Sequence, residues 1–222
     1  MCAAHPSFLP QVPILVELRK SDPLFEVKCA FYRRDLSIPF RRVRVSIGDN
    51  ENFKLLFAVL RVVEADREDF DLLVSCSGNS LYRSLRDAQI PISVRNEMAV
   101  LKSLLAMCDQ LLSWYPTTYM QDKDRLLCGD VPLFSNDRNA LIQVKGEKEV
   151  LLFFKALAES SIALLQSEGM QRFDEQLEEA RTSKHPIIYQ YARGTLSRLH
   201  QDELRRNEIR QRKLDLSRPT VV

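Results

Sequence analysis

Apolar residues recur at every third or fourth position over long stretches of this sequence, and that spacing most constrains the fold. Residues three and four apart lie on one face of an α-helix, whereas a half-buried strand needs strict alternation. The clearest stretch begins at Ser93, a typical N-cap residue, and stops at Tyr115, because a residue before proline avoids the helical region. We predict a helix from Ser93 to about Trp114. Its apolar face comprises Val94, Met98, Leu101, Leu105, Cys108 and Leu112.

A second stretch of the same spacing is longer. It begins at Ser135 or Asn136, either of which can cap a helix, and continues to about Ser167. Gly146 lies inside it and costs about 1 kcal/mol relative to alanine in a helix, so the sequence is consistent with a bend there. The apolar face comprises Leu141, Val144, Leu151, Phe154, Ala158, Ile162 and Leu165.

Shorter patterns predict the remaining elements. Asp22-Pro23 begins a helix near 23–34, Asp49-Asn50 begins one that ends near Glu64, and further short helices are expected over 66–75 and 80–88. Thr118 and Gln121 have the form of a capping box for a helix to about Leu127. Helical spacing returns after Gly169 and again over 188–209. A short apolar stretch indicates a strand over 12–18, and alternation indicates one over 40–47. The fold class is therefore mainly all-α, multi-helical, with one or two short N-terminal strands.

Composition excludes several classes of protein. The 222 residues carry 32 basic and 30 acidic side chains, a balance of +2, which does not suit a dedicated nucleic-acid-binding protein. The five cysteines form no Cys-x-x-Cys pair and the three histidines stand apart, so we expect reduced thiols and no zinc site. No apolar run approaches the roughly 20 residues of a membrane span, so we expect no membrane partner. The sequence shows no combination of residues that is typical of a catalytic site.

A succession of motifs resembles a known family. Val16-Glu17-Leu18 and Asp22-Pro23-Leu24-Phe25-Glu26 come first, followed by Phe57-Ala58-Val59-Leu60-Arg61 and Pro91-Ile92-Ser93-Val94-Arg95-Asn96-Glu97. Tyr115-Pro116-Thr117-Thr118 then precedes Asp122 and Asp124, and Gly146-Glu147-Lys148 closes the series. Over about residues 14–167 this order resembles the Rubisco LSMT substrate-binding domain. That domain is the C-terminal lobe that follows the SET domain in Rubisco large-subunit methyltransferase and its relatives.

The resemblance implies an up-and-down helical bundle that helps to hold the protein whose lysine or histidine is methylated. The SET domain itself is missing from this sequence, because only about 13 residues precede the lobe and no asparagine precedes a histidine. The family's S-adenosylmethionine site is thereby missing too, so we expect no cofactor in this chain unless a SET domain is supplied. No catalytic, cofactor-binding or metal-binding residue is assigned, and no activity is expected from this chain alone.

The same motifs supply the candidate residues for contact with a partner, namely Arg95, Asn96, Glu97, Trp114, Tyr115, Thr117, Glu147 and Lys148. Each also has a structural interpretation, which we favour. Ser93 and Glu97 fit a helix N-terminus, Trp114 to Thr118 fit a helix stop followed by a new cap, and Glu147-Lys148 fits a solvated helix face. Asp122 and Asp124 lack the neighbours that acid–base catalysis needs.

The C-terminal segment differs in charge from the rest of the chain. From Arg193 to Arg218 it carries eight basic and four acidic residues, a net charge of +4. Arginines bind phosphate well, but acids interspersed at helical spacing favour a solvated amphipathic helix over an RNA contact. We divide the chain into a lead-in over 1–13, the helical lobe over 14–167 and a helical extension with a basic tail over 168–222.

Three functions are consistent with these sequence features. The first is a non-catalytic lobe that binds a protein substrate or a SET-domain catalytic partner. The second is that this chain is the C-terminal part of an active SET-domain protein methyltransferase. The third is an RNA or ribonucleoprotein contact through the basic tail. Because no Ser- and Arg-rich leader is visible, a cytoplasmic or nuclear location is expected.

Overall fold

The computed structural model describes residues 10–36, 41–75, 90–166, 174–175, 177–178 and 186–217, and it is mainly helical. The predicted fold class is therefore confirmed. The strands are β1 (Val12–Val16) and β2 (Arg41–Val45), and the helices up to the end of the lobe are α1 (Phe25–Leu36), α2 (Asn50–Glu64), α3 (Arg67–Ser75), α4 (Val94–Ser113), α5 (Tyr119–Leu127) and α6 (Asn136–Leu165). The C-terminal segment contains α7 (Pro186–Tyr191), a π-helical turn (Ala192–Leu196) and α8 (Ser197–Ser217).

Side-chain caps set the starts of four helices at the predicted positions. Asp49 accepts a hydrogen bond from the Asn52 amide at 3.1 Å, and Ser93 accepts one from the Asn96 amide at 3.0 Å. Thr118 forms the predicted capping box with Gln121, and Ser135 caps α6. Each cap satisfies a backbone donor that the helix leaves unpaired, which contributes typically about 1 kcal/mol.

The two strands form an antiparallel sheet in which β2 shows the predicted alternation, with Val43 and Val45 buried and Arg42 and Arg44 exposed. Val12, Ile14 and Val16 are buried, and each pairs with a β2 residue in the register Val12↔Val45 to Val16↔Arg41. Leu15 faces the solvent beside its cross-strand partner Arg42, since directly opposed residues share a face. Along the chain that the structure describes, β1 pairs with no strand other than β2.

The hydrophobic core lies between the sheet and three helices. α4 packs chiefly against α6 and α2, and fully buried side chains from all three fill the space between them. Burying a leucine or phenylalanine of this kind contributes about 1.5–3 kcal/mol. The large apolar side chains among them are Leu56, Phe57, Leu60, Leu101, Leu104, Leu151 and Phe154.

Gly146 lies within α6, which continues through it as one helix. A Cβ atom at this position would lie 2.5 Å from Cγ of Pro10, closer than van der Waals contact allows. The glycine therefore lets the chain before β1 lie directly against α6. The helical cost of the glycine is offset by this close approach.

The end of the chain differs from the single amphipathic segment predicted over 188–209, because the π-helical turn separates α7 from α8. The extra residue in a π turn shifts the phase of the apolar face, so that both Tyr191 and Leu196 are buried. The lead-in over 1–9, the predicted helix over 80–88 and most of 167–185 lie outside the described residues. Within the part that is described, no helix combines the length and apolar character of a membrane span.

Candidate functional site

A buried lysine joins the end of α4 to α5 and α6. Nζ of Lys148 donates to the backbone oxygen of Thr117 at 2.7 Å and to its Oγ1 at 2.9 Å, and it also forms an ion pair with Asp122. Thr117 Oγ1 donates in turn to Asp122 at 2.6 Å. The Tyr-Pro-Thr-Thr motif, the acid that follows it and the Gly-Glu-Lys motif are therefore parts of one cluster.

The charges of this cluster are nearly inaccessible to water, with side-chain exposures of 1% for Lys148 and 0% for Asp122. Burial opposes ionisation of Asp122, but the hydrogen bonds from Lys148 and Thr117 outweigh it and hold the pKa of this carboxyl below its ordinary value. A buried pair whose members satisfy each other fixes the arrangement of its elements, because removing one partner leaves an uncompensated charge. Lys148 thus holds the segment after α4, which contains Tyr115 and Thr117, in a fixed place against α5 and α6.

The aromatic ring of Tyr115 also contacts this lysine. Nζ of Lys148 lies 5.0 Å from the centroid of the Tyr115 ring, within the range of a cation–π interaction. The Tyr115 hydroxyl donates to Glu147 at 2.8 Å, and Gln143 donates to the other oxygen of that carboxylate at 3.0 Å. Burial, followed by the contact with Glu147, raises the pKa of Tyr115 well above its ordinary value. The ring is consequently a fixed, neutral wall.

Beside Tyr115 the structure has a groove of about 560 Å³ between β1 and the C-terminal end of α4. Trp114, the single tryptophan of the chain, is 69% exposed at its margin, and Leu15 of β1 is 48% exposed on the opposite side. Met107 and Leu111 form the α4 wall, while Tyr115 and Glu147 lie at the end that is held by Lys148. We refer to this feature as the Trp114 groove.

The Trp114 groove lies against the two-stranded sheet where Leu15 of β1 and its cross-strand partner Arg42 are exposed. Four consecutive strand residues, 12–15, line it. Successive side chains of a strand point to opposite faces, and Leu15 and Arg42 share the exposed face of the sheet. Val12 and Ile14 are only 3% and 0% exposed, so the accessible part of β1 in the groove is chiefly Leu15.

One charged residue of each sign, Arg42 and Glu147, lines the groove. Glu147 is engaged by Tyr115 and Gln143, whereas Arg42 lines the groove and, within the described residues, has no ion pair. Arg44 is exposed on the same face of the sheet, two residues along β2. An occupant of the groove would therefore meet an apolar wall and an available guanidinium.

The motif at the start of α4 occupies a different part of the molecule. Arg95 is half exposed, but its guanidinium pairs with Asp66 at 2.8 Å and contacts Asp69. Ser93 donates to Asp69 at 2.5 Å in addition to capping α4. These contacts hold α3 against the N-terminus of α4, and they do not bring Arg95 to the groove.

The interpretation that helix capping accounts for every residue of this motif is wrong for Glu97. Its carboxylate is fully buried and accepts hydrogen bonds from Arg61 at 2.6 and 2.7 Å, while the Tyr191 hydroxyl donates to the same group. Asn96 is also buried and donates to the backbone oxygen of Arg61 at 3.0 Å. The carboxylate links α2, α4 and α7, and burial first and Glu97 second raise the pKa of Tyr191.

The eight candidate residues thus divide into three groups. Asn96, Glu97 and Lys148 are buried, so their side chains cannot form the contact surface, and the solvated helix face predicted for Glu147-Lys148 is wrong for Lys148. Arg95 is engaged elsewhere, and Thr117 is half-buried beside Lys148. Trp114, Tyr115 and Glu147 line one groove, where a role in partner contact remains a prediction.

Sequence reasoning missed the buried charges, although the sequence contains a signal for them. Glu97 lies four residues before Leu101, and Lys148 lies three before Leu151, so both charges fall on the apolar face of their helices. A charge at such a position is either exposed by a bend or paired inside the core. Lys28 is a third case, since it is buried and binds Asp22 at 2.6 Å and the Val63 oxygen at 2.7 Å.

The described residues supply no metal centre. They contain no group of three side chains arranged to hold a metal ion. In α8 the arginines alternate with acids, and Arg206 lies 3.9 Å from Glu203. This arrangement matches the solvated amphipathic helix that the sequence favours.

The fold and the motif cluster define a helical lobe with a groove, and comparison with known proteins assigns its family. The family model for the Rubisco LSMT substrate-binding domain matches residues 19–151, which include the cluster around Lys148. The chain belongs to this family. None of the curated protein sequences matches significantly.

Solved structures share the fold. The structure of Rubisco LSMT bound to AdoMet matches with a TM-score of 0.55 and 21% identity over 80% of this chain. The crystal structure of the SET domain of LSMT bound to lysine and AdoHcy matches with a TM-score of 0.57 and 20% identity. The chain spans about 40% of the length of these solved structures. The family match falls on the substrate-binding lobe, and no SET domain is present in the sequence.

Proposed function

We propose that this chain is a non-catalytic lobe that holds a protein substrate, and that the Trp114 groove receives a segment of that protein. The observation that carries the proposal is the groove itself, in which an exposed tryptophan lies beside a tyrosine that is fixed by a buried ion pair. Membership of a substrate-binding family supports a protein as the occupant. Solved structures of LSMT that share the fold are described as bound to lysine or to methyllysine, which are the substrate and product side chains of lysine methylation.

The physical case for binding rests on preorganisation. Tryptophan and tyrosine contribute much of the binding free energy at protein interfaces, because they bury a large area at little cost in side-chain entropy. The contacts of Tyr115 with Glu147 and Lys148 are already formed in the free lobe. A ligand that packs on these rings does not have to order them first, so less free energy is lost on association.

The groove is not suited to bind S-adenosylmethionine. Its one carboxylate, Glu147, is already engaged by two donors, and no glycine of the described residues lines it to let the backbone approach a ligand. Methyl transfer would therefore be the task of a separate SET domain. The lobe's own part is to hold and orient the protein.

An array of lysine-containing 15-residue peptides, probed with the labelled chain, tests the binding function. We expect a subset of peptides to bind the wild-type chain and to lose most of that binding with Trp114→Ala. Lys102→Ala is the matched control, because Lys102 is exposed on α4 away from the groove. Equal binding by the wild type and Trp114→Ala, or no binding at all, would refute the proposal.

Calorimetry with S-adenosylmethionine tests the part of the proposal that describes the lobe as non-catalytic. We expect no saturable heat at micromolar ligand, since neither the groove nor the sequence supplies a site for it. A micromolar dissociation constant for the isolated chain would overturn this part and leave the peptide-binding part intact.

Two alternatives make different predictions. If the chain is the C-terminal part of a SET-domain methyltransferase, the genomic sequence upstream of Met1 must encode an in-frame Asn-His segment. If the basic tail binds RNA, replacing Arg198, Arg205 and Arg212 by glutamine must weaken a salt-sensitive RNA complex. The interspersed acids of α8 make this second alternative the less favoured one.

A further inference from the structure

We infer that the Trp114 groove continues along α4 into a second cavity, and that the partner segment held there carries a basic side chain that pairs with Glu64. The inference rests on the proposed function and adds the extent of the site and the charge of one residue of the segment. Two observations support it. The two cavities adjoin, and the second contains a carboxylate that has no cationic partner among the described residues.

The second cavity adjoins the Trp114 groove at Met107 and Gln110, which line both. It has a volume of about 830 Å³ and lies between α4, the C-terminal end of α2 and the residues that follow β1. Residues 12–15 line the groove, and the next two residues of the chain, Val16 and Glu17, line the second cavity. We refer to this feature as the Glu64 cavity.

One face of α4, with its C-cap, forms a wall that the two cavities share. The residues of this wall recur at helical spacing, and they are Ser103, Ala106, Met107, Gln110, Leu111 and Trp114. At a rise of 1.5 Å per residue, Ser103 and Trp114 are about 16 Å apart along the helix. An extended chain covers that distance in about five residues. A segment that contacts Trp114 is therefore long enough to reach the Glu64 cavity when it continues by a few residues.

Glu64 is the last residue of α2 and lies half-buried in the wall of the second cavity. The Ser103 hydroxyl donates to its carboxylate at 2.6 Å, and no basic side chain of the described residues forms an ion pair with it. Backbone carbonyls at a helix C-terminus carry partial negative charge, which is unfavourable for a carboxylate. A cation in the cavity would offset this field and form a charge-assisted hydrogen bond with Glu64.

The other charges that line the Glu64 cavity have partners of opposite sign. Three ion pairs account for most of them, namely Lys28–Asp22 at 2.6 Å, Arg95–Asp66 at 2.8 Å and Arg67–Asp71 at 3.5 Å. Glu17 and Arg19 are both exposed, lie two residues apart and together add no net charge. Glu64 is therefore the charge of this cavity that is left without a counterpart.

The surroundings of Glu64 favour a lysine or arginine side chain over a metal ion. A hard cation such as Ca²⁺ takes six to eight oxygen ligands, and the described residues contain no group of side chains that could hold one. Leu24, Val63 and Met107 add apolar surface to the cavity. Basic side chains place their aliphatic stems on apolar surface while the charged end reaches a polar group. The cavity offers both.

Titration of the chain with the tightest peptide of the lysine-containing array provides the test. The chain has one tryptophan, so the fluorescence of Trp114 reports binding directly when the peptide contains none. Each lysine or arginine of the peptide is replaced in turn by norleucine, which retains the aliphatic stem and removes the charge. We expect one replacement to weaken binding about tenfold or more, as the loss of a charged hydrogen bond does. These replacements are made in the peptide and cannot affect the fold of the chain.

Substitution of Glu64 identifies the partner of that basic residue. Glu64→Gln should weaken binding of the original peptide about tenfold or more, and it should bind the norleucine peptide as tightly as the wild type does, because the pair is already broken. Glu51→Gln is the matched control, since Glu51 lies on the same helix, is 82% exposed and lines neither cavity. Circular dichroism and the midpoint of urea unfolding establish that both variants are folded before the titrations are compared.

The outcomes distinguish this inference from the proposed function. If binding depends on Trp114 but Glu64→Gln binds like the wild type, or if norleucine weakens binding equally in the wild type and in Glu64→Gln, the inference is overturned and the function stands. If no peptide binds at the groove, both are overturned. If Trp114 fluorescence instead changes with protein concentration and the mass doubles, a second copy occupies the groove and the inference is wrong.

Discussion

Lys148 is the residue on which the geometry of the groove most depends. Its ammonium has three protein acceptors and virtually no contact with solvent. Replacing it with methionine preserves much of the volume but leaves Asp122 as an unpaired buried carboxylate. We therefore predict that Lys148→Met lowers the free energy of unfolding by about 3–5 kcal/mol, as measured by urea denaturation.

Lys155 is the matched control for this prediction. It also lies on α6 and pairs with Asp109 at 2.5 Å, but its side chain is 32% exposed and that of Asp109 is 50% exposed. Ion pairs with this exposure contribute at most about 1 kcal/mol. If Lys155→Met destabilises the protein as much as Lys148→Met, the buried cluster does not have the special role assigned to it.

The lowered pKa of Asp122 leads us to predict a specific pH dependence of the free energy of unfolding. Its folded-state pKa lies below the ordinary value of 3.8, so the stability due to its ionised form is fully present above that pH and is lost as the pH falls through the folded pKa. The difference in unfolding free energy between the wild type and Asp122→Asn should be constant from pH 7 to pH 5. It should then shrink below about pH 3.8, in urea titrations at each pH. A difference that persists unchanged at lower pH would contradict a depressed pKa.

Residue spacing predicted the positions of these charges but not their roles. Sequence places Thr117, Asp122 and Lys148 on three separate elements, and only tertiary packing brings the three groups within hydrogen-bonding distance. The same holds for Arg61 and Glu97, which are 36 residues apart. A local pattern can therefore indicate that a charge is buried without identifying its partner.

At the scale of secondary-structure elements, the Tyr191 hydroxyl connects α7 to the bundle. It donates to Glu97, which is already paired with Arg61, and its ring contacts Phe53 and Phe57 at centroid distances of 5.9 and 5.2 Å. Tyr191→Phe retains the ring contacts and removes the hydroxyl. We expect a loss of about 1–3 kcal/mol, because one acceptor of a buried carboxylate loses its donor.

Hydrogen exchange shows whether this loss is local. Amides of α7 and the π turn should exchange faster in Tyr191→Phe than in the wild type, while those in the middle of α4 should change only by the global loss of stability. A uniform change across the chain would mean that Tyr191 contributes to the core as a whole and does not specifically secure α7.

The bounds of a secondary-structure element can be predicted when its sequence signal is local. The bounds of α2, α4 and α5 agree closely with prediction, because each has a capping side chain next to a periodic apolar face. α1 begins two residues after the predicted start, where Asp22 accepts from the Leu24 amide at 2.7 Å and forms a turn. The π turn has no local signal, since it depends on burying Tyr191 and Leu196 together.

For the whole molecule, the order of the motifs along the chain indicated the family better than any single motif did. The family match over residues 19–151 confirms the resemblance read from that order and lies within the predicted lobe over 14–167. The groove could not be predicted, because it is formed by β1 and α4, which are about 80 residues apart in the chain. Trp114, Tyr115 and Glu147 were nevertheless among the candidates, since they belong to the same motifs.

Hydrogen-exchange mass spectrometry of the free and peptide-bound chain is the most direct test of the central claim, that the Trp114 groove is where this lobe holds a protein. The peptide used should be the tightest binder from the lysine-containing array. We predict that binding slows exchange in β1 (Val12–Val16) and at residues 107–115, with little effect on α8. Protection confined to α8 or to the α3–α4 contact, with β1 unchanged, would contradict the claim.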